Sequence, residues 1–173
     1  MDFVSDAIYR LSAVPRRLKC LTVADDFTRE CVDITADFCL GGQYVTGLLD
    51  RAATPQSYPQ AVRTDNGPHF TWCAFMAWTQ SRGIKRILIE PSSPTQNAHI
   101  ESFNGTFRDE CLNESWFESL EQARQTIATW RTDYNEIRPH SSCGRIPPAT
   151  FTALSRQNSG DSKQHSKTDS RIS

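Results

Sequence analysis

An α/β fold, a five-stranded mixed sheet with helices on both faces, is what the sequence predicts, on three observations. Over residues 31–37, Val32, Ile34 and Ala36 alternate with Asp33, Thr35 and Asp37, the period of a half-buried antiparallel strand. After Gly41-Gly42 the period changes: Val45, Leu48, Leu49 and Ala52 stand at i, i+3, i+4 and i+7, one face of a helix. The order then runs strand, helix, strand and further helices. Early antiparallel strands followed by α/β crossovers lead to a mixed sheet covered on both sides.

Each element has its own local cause. Residues 1–9 read as a first strand, turned near Pro15 into a second over 18–25, whose run Leu-Lys-Cys-Leu-Thr-Val-Ala is mostly apolar. Pro55 and Pro59 end the first helix, and Ala61-Val62-Arg63-Thr64 forms a short strand running into Asp65-Asn66-Gly67-Pro68, a turn signal. Residues 71–82 suit a helix stopped by Gly83, and Ile84 to Ile89 a buried strand. A loop is expected over 91–97 and a helix from Ala98 to about Asn113. Ser119 and Gln122 stand at capping-box spacing ahead of Leu120, Ala123, Ile127, Trp130 and Tyr134, a helix that ends before Arg138-Pro139.

The chain has 173 residues, enough for one domain and a tail. Residues 1–154 are expected to form the core, and 155–173, rich in Ser, Lys, Asp and Gln, a disordered tail. With 38% hydrophobic and 23% charged residues the chain can build an ordinary soluble core. No apolar run nears the roughly 20 residues that cross a bilayer. The start resembles no signal peptide, so a cytoplasmic protein is expected. The six cysteines form no C-x-x-C pair and look like scattered core thiols; the four histidines form no H-E-x-x-H, so zinc is not expected. A formal net charge of −1 is low for a nucleic-acid binder. The basic clusters, Arg16-Arg17-x-Lys19 and Arg82-x-x-Lys85-Arg86, are small, so other domains or subunits would have to supply much of any grip on DNA.

Two segments carry chemistry. Asp65 stands where a strand runs into a turn, and carboxylates at strand ends of an open α/β sheet point into the ligand crevice. Glu101 falls near the start of a predicted helix, where its charge suits the dipole. Taken singly, Asp65 is as well explained as a turn former and Glu101 as a dipole partner.

Together, Arg63-Thr64-Asp65-Asn66-Gly67-Pro68-His69-Phe70 and the segment Pro94 to Gly105 resemble the second and third acidic motifs of the integrase core in insertion-sequence transposases, a group that shares its core with retroviral integrases. Between Asp65 and Glu101 stand 35 residues, the spacing for which this superfamily is known. The opening Met1-Asp2-Phe3-Val4-Ser5-Asp6 resembles the first acidic motif. Asp25-Asp26-Phe27-Thr28-Arg29-Glu30 and Tyr134-Asn135-x-x-Arg138-Pro139-His140-Ser141 match further recurrent patterns, so the resemblance runs from residue 2 to about 151. It implies an RNase H-like fold, and Asp2, Asp65 and Glu101 as catalytic acids and metal ligands. Asp6, Asp25 and Asp26 compete for the role, but such acids are more often turn or surface residues.

The implied activity is metal-dependent cleavage and strand transfer at transposon ends by a polynucleotidyl transferase. Two Mg²⁺ or Mn²⁺ ions, bridged by Asp2 and held by Asp65 and Glu101, would activate water or a DNA 3′-hydroxyl and stabilise the leaving oxygen. DNA (transposon ends and target) is the implied partner, with a homo-oligomer or full-length transposase subunits and no membrane; when bound to DNA the protein would sit on the bacterial nucleoid. Asn97, Asn104 and Arg108, on the helix of Glu101, are candidates to touch DNA, and Gly105 would leave room for its backbone. Because Asp2 is the second residue, the expectation is of a core shortened at its N-terminus and weak on its own. The alternatives are a truncated, catalytically inactive transposase remnant and an RNase H-like nuclease that hydrolyses without joining strands.

Overall fold

The computed structural model describes residues 1–9, 14–53, 58–64, 73–89 and 94–157, with 94–97 described in backbone only. β1 (Asp2–Ile8), β2 (Arg16–Ala24) and β3 (Cys31–Asp37) form an antiparallel meander in the order β1-β2-β3. Asp2 lies opposite Thr22 and Val4 opposite Cys20. α1 (Gly42–Ala53) leads to β4 (Ala61–Thr64); α2 (Cys73–Ser81) then crosses to β5 (Lys85–Leu88), which pairs parallel with β4. α3 (Pro94–Phe107) runs into a π-helical turn, Arg108–Leu112, and α4 (Leu120–Glu136) follows. Residues 148–157 form a last helix, α5, which carries three residues of the expected tail; 158–173 lie outside the described residues.

The five strands do not make the single sheet expected. Among the described residues they group as three and two. The two groups lie side by side at the start of β1, where the Met1 ammonium donates to the Arg63 carbonyl of β4 at 3.0 Å.

Helices do cover both faces, and the alternation within β1 and β2 shows how. Val4, Ile8, Leu18 and Cys20 point into one core with Ile100, Phe103 and Phe107 of α3 and Ala123, Ile127 and Trp130 of α4. Met1 and Leu21 point the other way, into a core with Val45, Leu48 and Leu49 of α1 and Phe75 and Trp78 of α2. A period of two therefore gives β2 an apolar residue on either side, as a strand buried on both faces requires. Phe75, Phe107 and Leu18 are fully buried, and burying a side chain of that size stabilises the fold by about 1.5–3 kcal/mol.

Several ends follow their predicted chemistry. Gly83 takes φ +64° and ends α2, with its N–H and that of Ile84 donating to Gln80 and Thr79. Ser119 Oγ accepts from Gln122 N at 3.1 Å, and Gln122 Oε1 accepts from Glu118 N at 2.9 Å, one residue earlier than the reciprocal bond of a capping box. α3 starts four residues before Ala98. Pro94 and its neighbours read as loop formers, yet proline suits a first helical turn, where its missing N–H has no partner to lose. The turn expected over 65–68 lies outside the described residues. Four of the six cysteines, Cys20, Cys31, Cys111 and Cys143, are buried, and all six are free thiols. Burial pushes the Cys20 thiol to about 12 and Cys111 to about 11, so neither forms a thiolate at neutral pH.

The chain after α4 brings in a pH-sensitive contact. His140 stands edge-on to Tyr134 with ring centroids 4.5 Å apart. Burial is the main cause holding its pKa below the ordinary 6.5, with Arg138 adding to it against a hydrogen bond to the Tyr134 backbone and the charge of Glu110. A depressed histidine pKa means that the unfolded chain binds the proton first, so stability is present above 6.5 and is lost as pH falls from there toward the folded value. The melting temperature is expected to drop on acidification from pH 6.5 to about 5. His140→Phe, which keeps a ring that cannot charge, should show a smaller drop. Equal drops in calorimetric scans of the two proteins would refute this.

Candidate active site

β1 alternates, so Asp2 shares a face with Val4, the face that α3 covers. α3 meets it with Ile100, Phe103, Phe107 and, in the following turn, Cys111. Asn104, four residues after Ile100, stands inside this apolar stripe and faces Asp2. Its Nδ2 donates to Asp2 Oδ2 at 2.8 Å, and its Oδ1 accepts from Thr22 Oγ1, also at 2.8 Å. Thr22, fully buried opposite Asp2 on β2, also lies 3.1 Å from the Asp2 carbonyl oxygen. Asp2 Oδ1 accepts from Phe3 N at 2.7 Å. Both ends of the Asn104 amide are thus used, and its orientation is fixed by what it meets, a carboxylate and a hydroxyl.

Glu101 is exposed, one turn before Asn104 on the same helix. Residues three apart on a helix are neighbours, about 5–6 Å between Cβ atoms. Glu101 is therefore carried to within a turn of the Asp2 carboxylate. Asp65 lies outside the described residues; it follows Thr64, the last residue of β4, and Arg63 beside it holds the Met1 ammonium. The chain is thus described up to one residue short of Asp65, next to the start of β1.

Of the residues expected to touch DNA, Asn104 is engaged with Asp2 and Thr22. Arg108 is exposed and donates one bond, to the Ser5 carbonyl at 3.2 Å. The Asn97 side chain lies outside the described residues. At Gly105 an added Cβ would meet nothing within 4 Å, so the helix surface there is open. The sequence did not single out Thr22, although a signal existed: a polar residue inside the apolar run of β2.

The competing acids sort by their partners. Asp6 lies opposite Leu18, four residues along β1 from Asp2. Asp25 Oδ1 accepts from Phe27 N at 2.9 Å, Thr28 N at 2.6 Å and Thr28 Oγ1 at 2.9 Å, which makes it the builder of the β2–β3 turn. Asp26 Oδ2 lies 3.2 Å from Arg63 Nη1, and Asp26 Oδ1 lies 3.6 Å from His99 Nδ1. Burial first, then the charge of Arg29, lowers the His99 pKa, which keeps the ring neutral at pH 7.

Among the described residues, no three His, Cys, Asp or Glu side chains are grouped to hold a metal ion. Asp2 and Glu101 offer carboxylate oxygens, each with two lone pairs, and the thiols near β1 are buried and protonated. A hard divalent cation such as Mg²⁺ fits these donors, and a soft one does not. Asn104→Asp tests how close the arrangement is. It would set two carboxylates at hydrogen-bond distance, which repel unless one holds a proton. The loss in melting temperature is expected to be larger at pH 8 than at pH 5, and smaller with saturating Mn²⁺. A loss independent of both would mean that Asn104 does not face Asp2.

Family models described as integrase core domain match residues 1–94 and 82–148. An insertion element IS476 protein of Xanthomonas euvesicatoria is 68% identical over 153 residues, covering 88% of this chain and 43% of its own. An insertion element IS407 protein of Burkholderia multivorans is 54% identical, covering 90% of this chain and 55% of its own. The chain thus spans about half the length of these curated relatives. The HTLV-2 integrase catalytic core domain, solved in complex with magnesium, superposes with a TM-score of 0.62 at 16% identity, over 86% of this chain and 93% of that one. A chain of the simian T-cell lymphotropic virus intasome in complex with the PP2A regulatory subunit B56 gamma gives 0.60 at 18% identity, over 86% and 52%. These likenesses establish the retroviral-integrase, RNase H-like fold despite the split sheet, and the match of one family model to more than half of the sequence establishes that the chain belongs to the integrase core domain family.

Proposed function

We propose that the chain is the catalytic core of a bacterial insertion-element transposase. It would cleave phosphodiesters at transposon ends and join them to target DNA, with Asp2, Asp65 and Glu101 as its acids and residues 1–154 as the core ahead of a tail. The observation that carries this reading is the Asn104 bridge, which seats the helix of Glu101 on the carboxylate of Asp2. The Met1–Arg63 bond supports it by bringing the chain just ahead of Asp65 to the start of β1. The insertion-element origin of the relatives fits transposon-end and target DNA as substrates, and the neighbouring intasome fits an assembly of copies.

Each residue then has a task. Asp2 and Glu101, with Asp65, would hold two Mg²⁺ or Mn²⁺ ions, which when bound activate the nucleophile and stabilise the leaving oxygen. Asn104 orients the Asp2 carboxylate and blocks its rotation. Arg108, exposed beyond Asn104, would meet a phosphate, and the open surface at Gly105 admits the strand. The reacting groups are water, or a DNA 3′-hydroxyl, and phosphorus in line with the departing 3′-oxygen; no protein–DNA covalent bond forms.

A strand-transfer assay tests this. A labelled duplex with a pre-cleaved 3′-hydroxyl end is incubated with plasmid and Mn²⁺, and covalent joining is expected, absent in Asp65→Asn. Nicking without joining would favour the hydrolytic nuclease, and neither product would favour an inactive remnant. In parallel, Mn²⁺ at 100 times its dissociation constant adds about 2.7 kcal/mol of stability. A melting temperature unmoved by Mn²⁺ would overturn the metal assignment.

A further inference from the structure

The geometry points to Asp26 as a positioning residue for the acid site: we propose that this carboxylate, on the β2–β3 turn, clasps the end of β4 to α3. The inference rests on the functional reading above. The turn has two adjacent acids with separate work. Asp25 takes three bonds from its own turn, so the turn is closed without Asp26. Asp26 instead faces two segments distant in sequence. Its Oδ2 lies 3.2 Å from Arg63 Nη1, two residues ahead of Asp65. Its Oδ1 faces His99 Nδ1 at 3.6 Å, two residues ahead of Glu101. That nitrogen is buried and makes no hydrogen bond, so the contact is one short closure from a bond. Arg63 is also the residue whose carbonyl holds the Met1 ammonium, next to Asp2. One carboxylate therefore reaches the segments ahead of two acids and, through Arg63, the start of the strand that bears the third.

The turn is itself anchored, as a clasp must be. Cys143 Sγ donates to the Thr28 carbonyl at 3.3 Å, and Thr152 Oγ1 to Glu30 Oε2 at 3.1 Å. Phe27 packs on Phe151 with centroids 5.7 Å apart. Arg29 holds φ +64°, a conformation that non-glycine residues keep only where their surroundings impose it. The segment after α4 thus braces the turn. Asp26 acts on where α3 sits and not on Glu101 directly, because residues two apart on a helix do not face each other. Its side chain is 53% exposed, so its ion pair adds little to global stability. Placement is the larger part of what it does.

Residue-resolved amide hydrogen exchange on the full chain, without metal, separates placement from general stability. Asp26→Ala is expected to speed exchange at Ile100–Asn104 and Val62–Thr64 by about two- to fivefold, with Val4 and Cys20 unchanged. Asp26→Glu should recover part of the protection. Unchanged exchange in α3 and β4, or a uniform rise through the sheet, overturns the clasp. Mn²⁺ titration followed by electron paramagnetic resonance gives a second readout, with about fivefold weaker binding expected in Asp26→Ala and equal binding counting against the proposal. If the parent binds no Mn²⁺ at all, the metal reading fails, and the exchange data alone still decide the clasp.

Discussion

Glu101→Gln is expected to lower metal-dependent nicking and joining by about a thousandfold or more, with the melting temperature within about 2 °C of the parent. The two halves of this expectation have different sources. Glu101 is exposed and lies beside the stripe of Ile100, Phe103 and Phe107 that packs α3, so a glutamine of the same shape leaves the core untouched. What is lost is a negative charge and a hard anionic donor. A neutral amide oxygen is a poor substitute where the group must hold a divalent cation against water. Glu114→Gln, an exposed acid beyond the π-helical turn, is the control and should act as the parent does. If Glu101→Gln retained a tenth or more of the parent rate in a plasmid-nicking assay, Glu101 would not be one of the acids.

Where an element is set by a local period, the sequence was enough to find it. The alternation of β3, the stripe of α1 and the capped start of α4 are examples, since each depends on residues a few positions apart. What escaped depends on distant partners. Whether β1 and β4 share a ladder depends on residues as far apart as Met1 and Arg63, 62 positions from each other, and nothing local specifies it. The early start of α3 escaped because Pro94 reads equally as a loop residue and as a first-turn residue. In the candidate site, Asp2 and Glu101 were legible only through motif resemblance, because each has an ordinary explanation alone. The division of labour between Asp25 and Asp26 was not legible: adjacent acids in a turn look alike until the partners of Asp26, Arg63 and His99, arrive from elsewhere in the chain. Asn104 was legible as a site residue but not as the partner of Asp2, although a polar residue inside an apolar helix stripe signals a buried polar contact.

Asn135 belongs to a recurrent pattern of the family, yet its contacts point to the fold and not to chemistry, and Asn135→Ala should cost about 2–5 kcal/mol. β3 is an edge strand of the three-stranded sheet, so among the described residues the outward N–H and C=O of Cys31, its first residue, meet no neighbouring strand. Asn135 on α4 supplies one. Its Oδ1 accepts from Cys31 N at 2.8 Å and its Nδ2 donates to Cys31 O at 2.9 Å, copying a strand's peptide group with a side-chain amide. Both residues are buried, so alanine strands a donor and an acceptor without water, each worth about 1–3 kcal/mol. In a domain of this size that is a fall of about 6–15 °C in melting temperature. Asn135→Asp gives the sharper test. The acid keeps the acceptor for Cys31 N but, when ionised, has no donor for Cys31 O and carries a buried charge. Burial raises the pKa of such an acid, so the folded state holds its proton to higher pH than the unfolded chain, and stability falls as pH rises through that interval. Asn135→Asp is therefore expected to approach the parent near pH 4, where the protonated acid can donate to Cys31 O, and to be less stable than Asn135→Ala at pH 8. Activity measured per folded molecule well below the transition should match the parent in both variants. Loss of activity with an unmoved melting temperature would instead assign Asn135 to the reaction and remove it from the fold.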